Sequence, residues 1–383
     1  MESENIPQLS GKIAEDIRQG YTGGAVDVYI PKPPKSVKIK GYDVNSLYPK
    51  QMFDRLMPIG VPTYFEGNIR AIDPNAFGFF FCNIIAPDKI KHPILQTHVK
   101  INNMIRTIAP IGTWSDMLFS MEMDNSIKLG YKFEILWGYK FEKENVFKNY
   151  VDFLYNLRLQ YPKSNPLNYI AKILLNSLYG RFGMNEISMK YEIFSKEEFS
   201  KITEDKILDY IEIGDHILVG LEIDSLEENE NISIGVAAAI TAYSRIHMSQ
   251  FKNNPNIRLY YTDTDSIYTD SELDESFINS KILGKLKLEN VCEEAVFLGP
   301  KVYCLKTEKG LITKVKGLKN ISALEFQDFK IRFLNNNIYS TILIKIDLFV
   351  FKLDFLFSNF LNLLINSCLV NLFKFILNYN FIY

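Results

Sequence analysis

The sequence predicts an α+β fold, an antiparallel sheet served by helices, and three stretches predict it. Residues 257–261 and 266–269 are rich in β-branched and aromatic types and flank a short polar turn, the pattern of strand, turn, strand. Residues 37–40 alternate Val and Ile with Lys, as a strand with one polar face does. Residues 144–160 place Val146, Phe147, Tyr150, Val151, Leu154 and Leu157 close to helical spacing. With 383 residues, 47% of them hydrophobic, the chain can bury a large core in one multi-subdomain unit or in two domains.

Along the chain, the strand at 37–40 leads to Asp43, and Pro49 stops its continuation, so Asp43 falls near a strand end followed by a turn. The helix at 144–160 is followed by Tyr161-Pro162-Lys163-Ser164-Asn165-Pro166, a connection that predicts two antiparallel helices. In the second helix Lys172, Asn176 and Tyr179 are spaced i, i+4, i+7 and share one face, while Ile173, Leu174 and Leu178 face elsewhere. Gly180 and Gly183 predict its end. Residues 234–249, with Ala237, Ala238, Ala239 and Ala242, read as a helix backing the hairpin at 257–269.

The chemistry starts at Tyr261-Thr262-Asp263-Thr264-Asp265. Two carboxylates one residue apart at a tight turn can hold a divalent cation beside a phosphate, and Asp43 is the natural third member. The amides of Asn45, Ser46 and Leu47 can bind phosphate oxygens, Tyr48 can pack beside a sugar, and Lys172 with Tyr179 suits a nucleoside triphosphate. Arg158, at the end of the first helix, can converge on the same phosphates. Between 301 and 319 lie Lys301, Lys306, Lys309, Lys314, Lys316 and Lys319, opposed only by Glu308, which fits a strand pair along a phosphate backbone. Taken singly each has a plainer reading. Asp and Thr are ordinary turn residues, Tyr48 an ordinary core tyrosine, Lys172 a solvated lysine, Arg158 a helix C-terminal arginine, and a lysine run a solvated face.

Together the strings resemble a known family. Asp43 to Pro49 (Asp-x-x-Ser-Leu-Tyr-Pro), Lys172 to Gly180 (Lys-x-x-x-Asn-Ser-x-Tyr-Gly) and Tyr261 to Asp265 (Tyr-x-Asp-Thr-Asp) are similar, in order, to motifs A, B and C of family B DNA polymerases. Tyr21-Thr22-Gly23-Gly24 and Lys301-Val302-Tyr303 resemble the Tyr-x-Gly-Gly and Lys-x-Tyr elements of the protein-primed branch, which includes phage, adenoviral and linear-plasmid replicases. A reverse transcriptase would instead show Tyr-x-Asp-Asp and lack the string at Lys172.

The resemblance implies a right-hand polymerase with an antiparallel-sheet palm and helical fingers, adding dNTPs to a primer 3′-OH on a DNA template by a two-metal mechanism. Asp43, Asp263 and Asp265 are the expected catalytic carboxylates. Asp43, Asp265 and the carbonyl of Val44 would hold two Mg²⁺ ions, for which Mn²⁺ can substitute, with Asp263 shaping the hairpin. Ser46, Leu47, Tyr48, Arg158, Lys172, Asn176 and Tyr179 are the expected nucleotide contacts, Tyr48 excluding a ribose 2′-OH. Tyr21, Gly23, Gly24, Thr264, Lys301, Tyr303 and Lys316 are the expected contacts to DNA and primer. The expected organisation is a pre-palm segment at 1–36, palm with an insertion at 37–140, fingers at 141–185, palm with a second insertion and primer-binding segment at 186–320, and a drifted thumb or hydrophobic tail at 321–383. In the family the interval at 57–139 contacts the priming protein, and that at 184–231 helps displace the non-template strand.

The ends depart from the family pattern. Residues 1–20 lack the paired acidic motifs of a 3′–5′ exonuclease, so proofreading is expected to be absent from this chain and a terminal protein to be encoded elsewhere. From Phe333 the chain has no Gly, Pro or Ala and is dominated by residues with codons of A and T alone. Drift or a frameshift accounts for this, and the uncharged run 355–373 is also long enough for a membrane span. An inactive remnant that binds DNA, or a membrane through this tail, is therefore the alternative function. AT bias with plasmid-like motifs points to a mitochondrial setting, and the acidic Met1-Glu2-Ser3-Glu4 to synthesis inside the organelle. A net charge of −2 and a pI near 6.2 exclude a simple basic DNA-coating protein. The scattered Cys82, Cys292, Cys304 and Cys368, and four dispersed histidines, indicate neither a zinc site nor a disulfide framework.

Overall fold

The structure is a computed structural model that describes residues 6–101, 104–184, 189–203, 206–213, 216–222, 232–316 and 324–334. Helix α1 (Gly11–Gln19) leads to β1 (Val26–Val28), β2 (Ile39–Val44) and α2 (Leu47–Asp54). Next come β3 (Met57–Glu66), β4 (Gly78–Ile85), β5 (Thr97–Ile101), β6 (Met104–Ile108), β7 (Thr113–Phe119), α3 (Ser120–Ile127) and β8 (Lys132–Glu144). Two helices follow, α4 (Lys148–Gln160) and α5 (Pro166–Phe182), then β9 (Met189–Ser195), α6 (Lys196–Phe199), β10 (Ile207–Ile213) and β11 (His216–Glu222). The last part comprises α7 (Ile234–Lys252), β12 (Leu259–Asp263), β13 (Ser266–Thr269), β14 (Leu286–Gly299), β15 (Val302–Thr307), β16 (Gly310–Val315) and α8 (Phe326–Leu334).

A seven-stranded antiparallel sheet, ordered β1-β12-β13-β2-β14-β15-β16, puts β2 and the hairpin β12–β13 at its centre. The predicted hairpin and the strand before Asp43 are thus neighbours although more than 200 residues separate them in sequence. Residues 57–144 build a four-stranded sheet, β3-β8-β4-β7, together with the hairpin β5–β6. Its edge strand β3 carries Pro58, Pro62 and a register shift between Ile59 and Thr63, features that discourage pairing with another chain. Residues 189–222 form a separate three-stranded sheet, β10-β11-β9.

Helix α7 runs through the core, buried on nearly every side from Ile234 to Lys252. Its alanines leave room for α1, α2, α3, α5, β3 and β7 to pack against it. Met248 and Phe251 near its end meet Leu259 and Ile267, so the helix does back the hairpin. The helix expected at 144–160 begins later, at Lys148, because Glu144 still pairs with Met57 at the end of β8. Helix α5 starts as its sequence dictates, with Pro166 in the first turn and the Asn165 side chain accepting from the Leu167 N–H at 2.9 Å.

Helix α8 packs on β14 and β15, with Phe329 buried and Lys330 paired with Glu294 at 2.5 Å. Residues 335–383, and with them the uncharged run 355–373 and Cys368, lie outside the described residues, as do Gly317 and Lys319. Among the described residues no helix is long and apolar enough to cross a membrane.

Candidate active site

The site is assembled at the centre of the seven-stranded sheet. Ser266 on β13 lies opposite Asp43 on β2, and the Val44 N–H donates to the Asp265 carbonyl at 2.8 Å. This register brings the carboxyls of Asp43 and Asp265 within hydrogen-bonding reach of each other. Both are held well above the ordinary carboxylate range, chiefly by burial. Repulsion from Asp265 and Glu289 adds to the effect on Asp43, with Lys287 opposing; at Asp265 a backbone hydrogen bond and Lys301 oppose, while Asp263 and Glu289 add. Two half-buried carboxyls that resist ionising side by side form a place where a cation is favoured.

Asp263 is handled differently. Lys301 donates to both of its oxygens, at 2.7 and 3.0 Å, and the Thr264 hydroxyl to one at 3.2 Å. Its charge is neutralised by a direct ion pair, whereas among the described residues Asp43 and Asp265 have none, Lys287 and Lys301 being paired with Glu289 and Asp263. Among the described residues no cluster of three His, Cys, Asp or Glu side chains gathers that could hold a metal. Mg²⁺ accepts one or two carboxylates and completes its octahedron with water and substrate phosphate, so a two-carboxylate site fits an ion that arrives with a phosphorylated ligand.

Backbone strain concentrates here. Ser46, Thr264 and Lys301, with φ of 53°, 53° and 59°, are the non-glycine residues in the left-handed region among those described. Each lies in one of the strings singled out in the sequence. Ser46 precedes α2, Thr264 separates Asp263 from Asp265, and Lys301 opens the turn before Tyr303.

The Tyr21 to Gly24 segment lies against the hairpin tip. Thr264 donates its N–H to the Ala25 carbonyl at 2.9 Å, and a Cβ at Gly24 would fall 2.6 Å from the Thr264 methyl, so only glycine allows this approach. The Tyr21 carbonyl is met by the His98 ring of β5 at 3.2 Å. Beneath the hairpin, Tyr261 stacks on Phe297 at 5.0 Å, and Tyr268 and Tyr303 complete an aromatic block. The Lys301 N–H donates to the Tyr261 hydroxyl at 2.9 Å and the Lys316 N–H to the Lys301 carbonyl at 3.0 Å, which joins Lys301, Tyr303 and Lys316 on one side of the tip.

On the opposite side stand α2, α4 and α5. Arg158 on α4 donates to the Ser46 hydroxyl at 3.0 Å, its Nε is buried without a partner, and burial depresses its pKa. No carboxylate pairs with Arg158 or with the exposed Lys172 among the described residues. Tyr48 and Tyr179 stack at 4.0 Å, which joins the turn after Asp43 to the polar face of α5, where Asn176 is exposed. Ile173 and Leu174 face solvent rather than core; Ala171, Leu175 and Phe182 are the residues that α5 buries.

One expectation needs correction and one feature was missed. The Asn45 N–H is not open to a phosphate, because it donates to the Lys285 carbonyl at 2.9 Å, which leaves the amides of Ser46 and Leu47 at the start of α2. The missed feature is a buried ion pair behind the Tyr21 to Gly24 segment. Arg245 on α7 meets Glu122 on α3 through two hydrogen bonds of 2.7 Å and donates to the carbonyls of Thr22 at 2.5 Å and Gly23 at 3.1 Å. An arginine amid the alanines and isoleucines of 234–249 was the available signal.

Residues 1–257 match the family described as DNA polymerase type B, organellar and viral. The chain is 39% identical over 332 residues to a probable DNA polymerase of Neurospora intermedia, a match covering 83% of this chain and 34% of that protein. It is 26% identical over 318 residues to the DNA polymerase of Bacillus phage Nf, covering 78% and 51%. The chain therefore spans about a third of the Neurospora relative and about half of the phage one. In three dimensions it resembles phi29 DNA polymerase complexed with primer-template DNA and incoming nucleotide, with a TM-score of 0.63, 22% identity, and coverage of 85% of this chain and 59% of that one.

Proposed function

The chain belongs to the type B DNA polymerases of organelles and viruses, and we propose that it adds deoxynucleotides to a primer 3′-hydroxyl under the direction of a DNA template. The observation that carries this reading is the juxtaposition of the Asp43–Asp265 pair, whose nearby lysines, Lys287 and Lys301, are paired with Glu289 and Asp263, with two cations on α4 and α5 that lack anions, Arg158 and Lys172. A metal-bound triphosphate supplies both missing charges at once.

In this reading the seven-stranded sheet is the palm and α4 with α5 the fingers. Asp43 and Asp265, with the Val44 carbonyl, would hold Mg²⁺ or Mn²⁺, which would supply activation of the primer hydroxyl and neutralisation of the leaving pyrophosphate. Arg158, Lys172 and the amides of Ser46 and Leu47 orient the phosphates. Tyr48, fixed by its stack on Tyr179, closes the space beside C2′ and selects deoxyribose, and Asn176 lines the same face. Asp263 holds Lys301 at the hairpin tip, where Thr264, Lys301, Tyr303 and Lys316 line the primer side. Tyr21, Gly23 and Gly24 line the template side. The Tyr-x-Gly-Gly and Lys-x-Tyr strings support priming by a terminal protein, with the sheet of residues 57–144 as its seat. The organellar family and the AT-biased coding support a mitochondrial setting.

The test is primer extension with Mg²⁺ on four templates that differ at the first unpaired base. The expected result is insertion of the complementary dNTP in each case. Untemplated addition, or none by folded protein with either metal, would favour the inert-remnant alternative.

A further inference from the structure

We infer that Arg18, which lies outside the five strings, is a positioning residue that clamps the C-terminal end of α5 and thereby sets the face presenting Lys172, Asn176 and Tyr179. The inference rests on the nucleotide role proposed for that face.

A helix ends with carbonyls that have no partner within it. At the end of α5 the last helical carbonyl and the two that follow it are met from two directions. The Ser233 N–H donates to the Phe182 carbonyl at 3.0 Å. Arg18 reaches across from α1, donating through Nη1 to the Gly183 carbonyl at 3.2 Å and through Nη2 to the Met184 carbonyl at 2.9 Å. One planar fork thus satisfies two successive carbonyls and places a positive charge at the negative end of the helix, a geometry an ammonium group does not reproduce. The clamp acts one turn beyond Tyr179, whose own carbonyl accepts from the Gly183 N–H.

The clamp is anchored firmly. Ala14 and Ile17 are buried, and the buried Asp16 accepts from the Tyr139 hydroxyl at 2.8 Å. Gly20, just past Arg18, is pressed so closely on the Met117 carbonyl that a Cβ would come within 2.0 Å of it. Helix α5, by contrast, fully buries only Ala171, Leu175 and Phe182, with Leu178 and Tyr179 half-buried beside them, so its solvent-facing side depends more on how its end is held. Gly183 completes the contact: a Cβ there would lie 2.5 Å from the Tyr21 hydroxyl and 3.3 Å from the Ala237 Cβ. The end of α5 is therefore seated directly against α1 and the Tyr21 ring.

The experiment compares the full chain with Arg18→Gln, Arg18→Lys and Gly183→Ala by hydrogen exchange of the last turn of α5 and by dNTP incorporation on primed DNA. In Arg18→Gln, exchange of that turn is expected to quicken about tenfold while the palm strands keep their protection. Its KM for dNTP should rise about fivefold or more with kcat within about twofold, the signature of lost positioning in binding. Arg18→Lys should restore part of both, and Gly183→Ala should reproduce the KM change with Arg18 intact. Unchanged exchange overturns the clamp, and quickened exchange with an unchanged KM overturns its role in nucleotide binding. A wild-type chain that incorporates nothing refutes the functional reading instead, and the exchange measurement still decides the clamp.

Discussion

Single side chains divide the work by which charges they leave uncompensated. Asp263 has Lys301, whereas Asp43 and Asp265 have chiefly each other. Burial, with repulsion added, makes ionised Asp43 costly to the metal-free fold, so Asp43→Asn should raise the melting temperature in chelator at pH 8 by a few degrees. Mg²⁺ with dNTP should raise the wild type and leave the variant unmoved; thermal denaturation reads both, and a lower melting temperature for the variant would contradict that cost. At Tyr48 the prediction concerns selectivity. On the proposed role of the ring beside C2′, replacing it with Val removes a steric exclusion and should raise incorporation of ribonucleotides relative to deoxynucleotides by on the order of 10²-fold. Competition between dCTP and CTP opposite a template G measures the ratio. These residues stood out in the sequence because they sit in short strings that occur together and in order, although each alone has a plainer reading. Arg18 was not legible: on an ordinary amphipathic helix nothing local distinguishes an arginine that caps a distant helix from one in solvent.

At the scale of elements, the helical hairpin α4–α5 shows local sequence deciding one part of the fold and tertiary contact another. Pro162, Pro166 and the spacing of apolar residues marked two helices, and Asn165 caps the second. The lock between them is Asn168, whose side chain donates to the carbonyls of Arg158 at 2.8 Å and Tyr161 at 2.9 Å. Asn168→Ala should cost about 1–2 kcal/mol, seen in urea denaturation, because it strands a carbonyl at the end of α4. An unchanged midpoint would mean that water replaces the amide without penalty. The start of α4 was misjudged since Glu144 fits a helical pattern as well as a strand end, and only its pairing with Met57 decides between them. The sheet of residues 57–144 was likewise beyond local reading, because β3 pairs with β8 across most of that interval.

Over the whole molecule, α7 ties the parts together, and two histidines at its borders contribute stability that is lost in acid. His247, on α7, and His92, whose ring lies tilted against that of Tyr29 with centroids 4.2 Å apart, are both pushed down to about 4, first by burial and then by nearby lysines, among them Lys50 and Lys91. A folded-state value below the unfolded value of about 6.5 means that the unfolded chain binds the extra protons. Stability from these sites is therefore full above that value and is lost as pH falls toward 4. Between pH 7 and 4 the protonation of Asp43 and Asp265 works in the opposite direction, so the histidine contribution is read as a difference: the melting temperature of His247→Gln should gain on that of the wild type as pH falls, and parallel slopes would contradict the assignment. The order of the strings along the chain carried the architecture, since five of them demanded one site, and the antiparallel sheet meets that demand by placing β2 beside β13. The central claim is that this site is a two-carboxylate, metal-dependent nucleotidyl-transfer centre. Single-turnover incorporation of a complementary dNTP in Mg²⁺ tests it most directly in the wild type, Asp43→Ala and Asp265→Ala, with DNA affinity measured alongside. The predicted result is a loss of roughly 10³-fold or more in each variant with primer-template still bound, and near-normal rates in either variant would contradict the account.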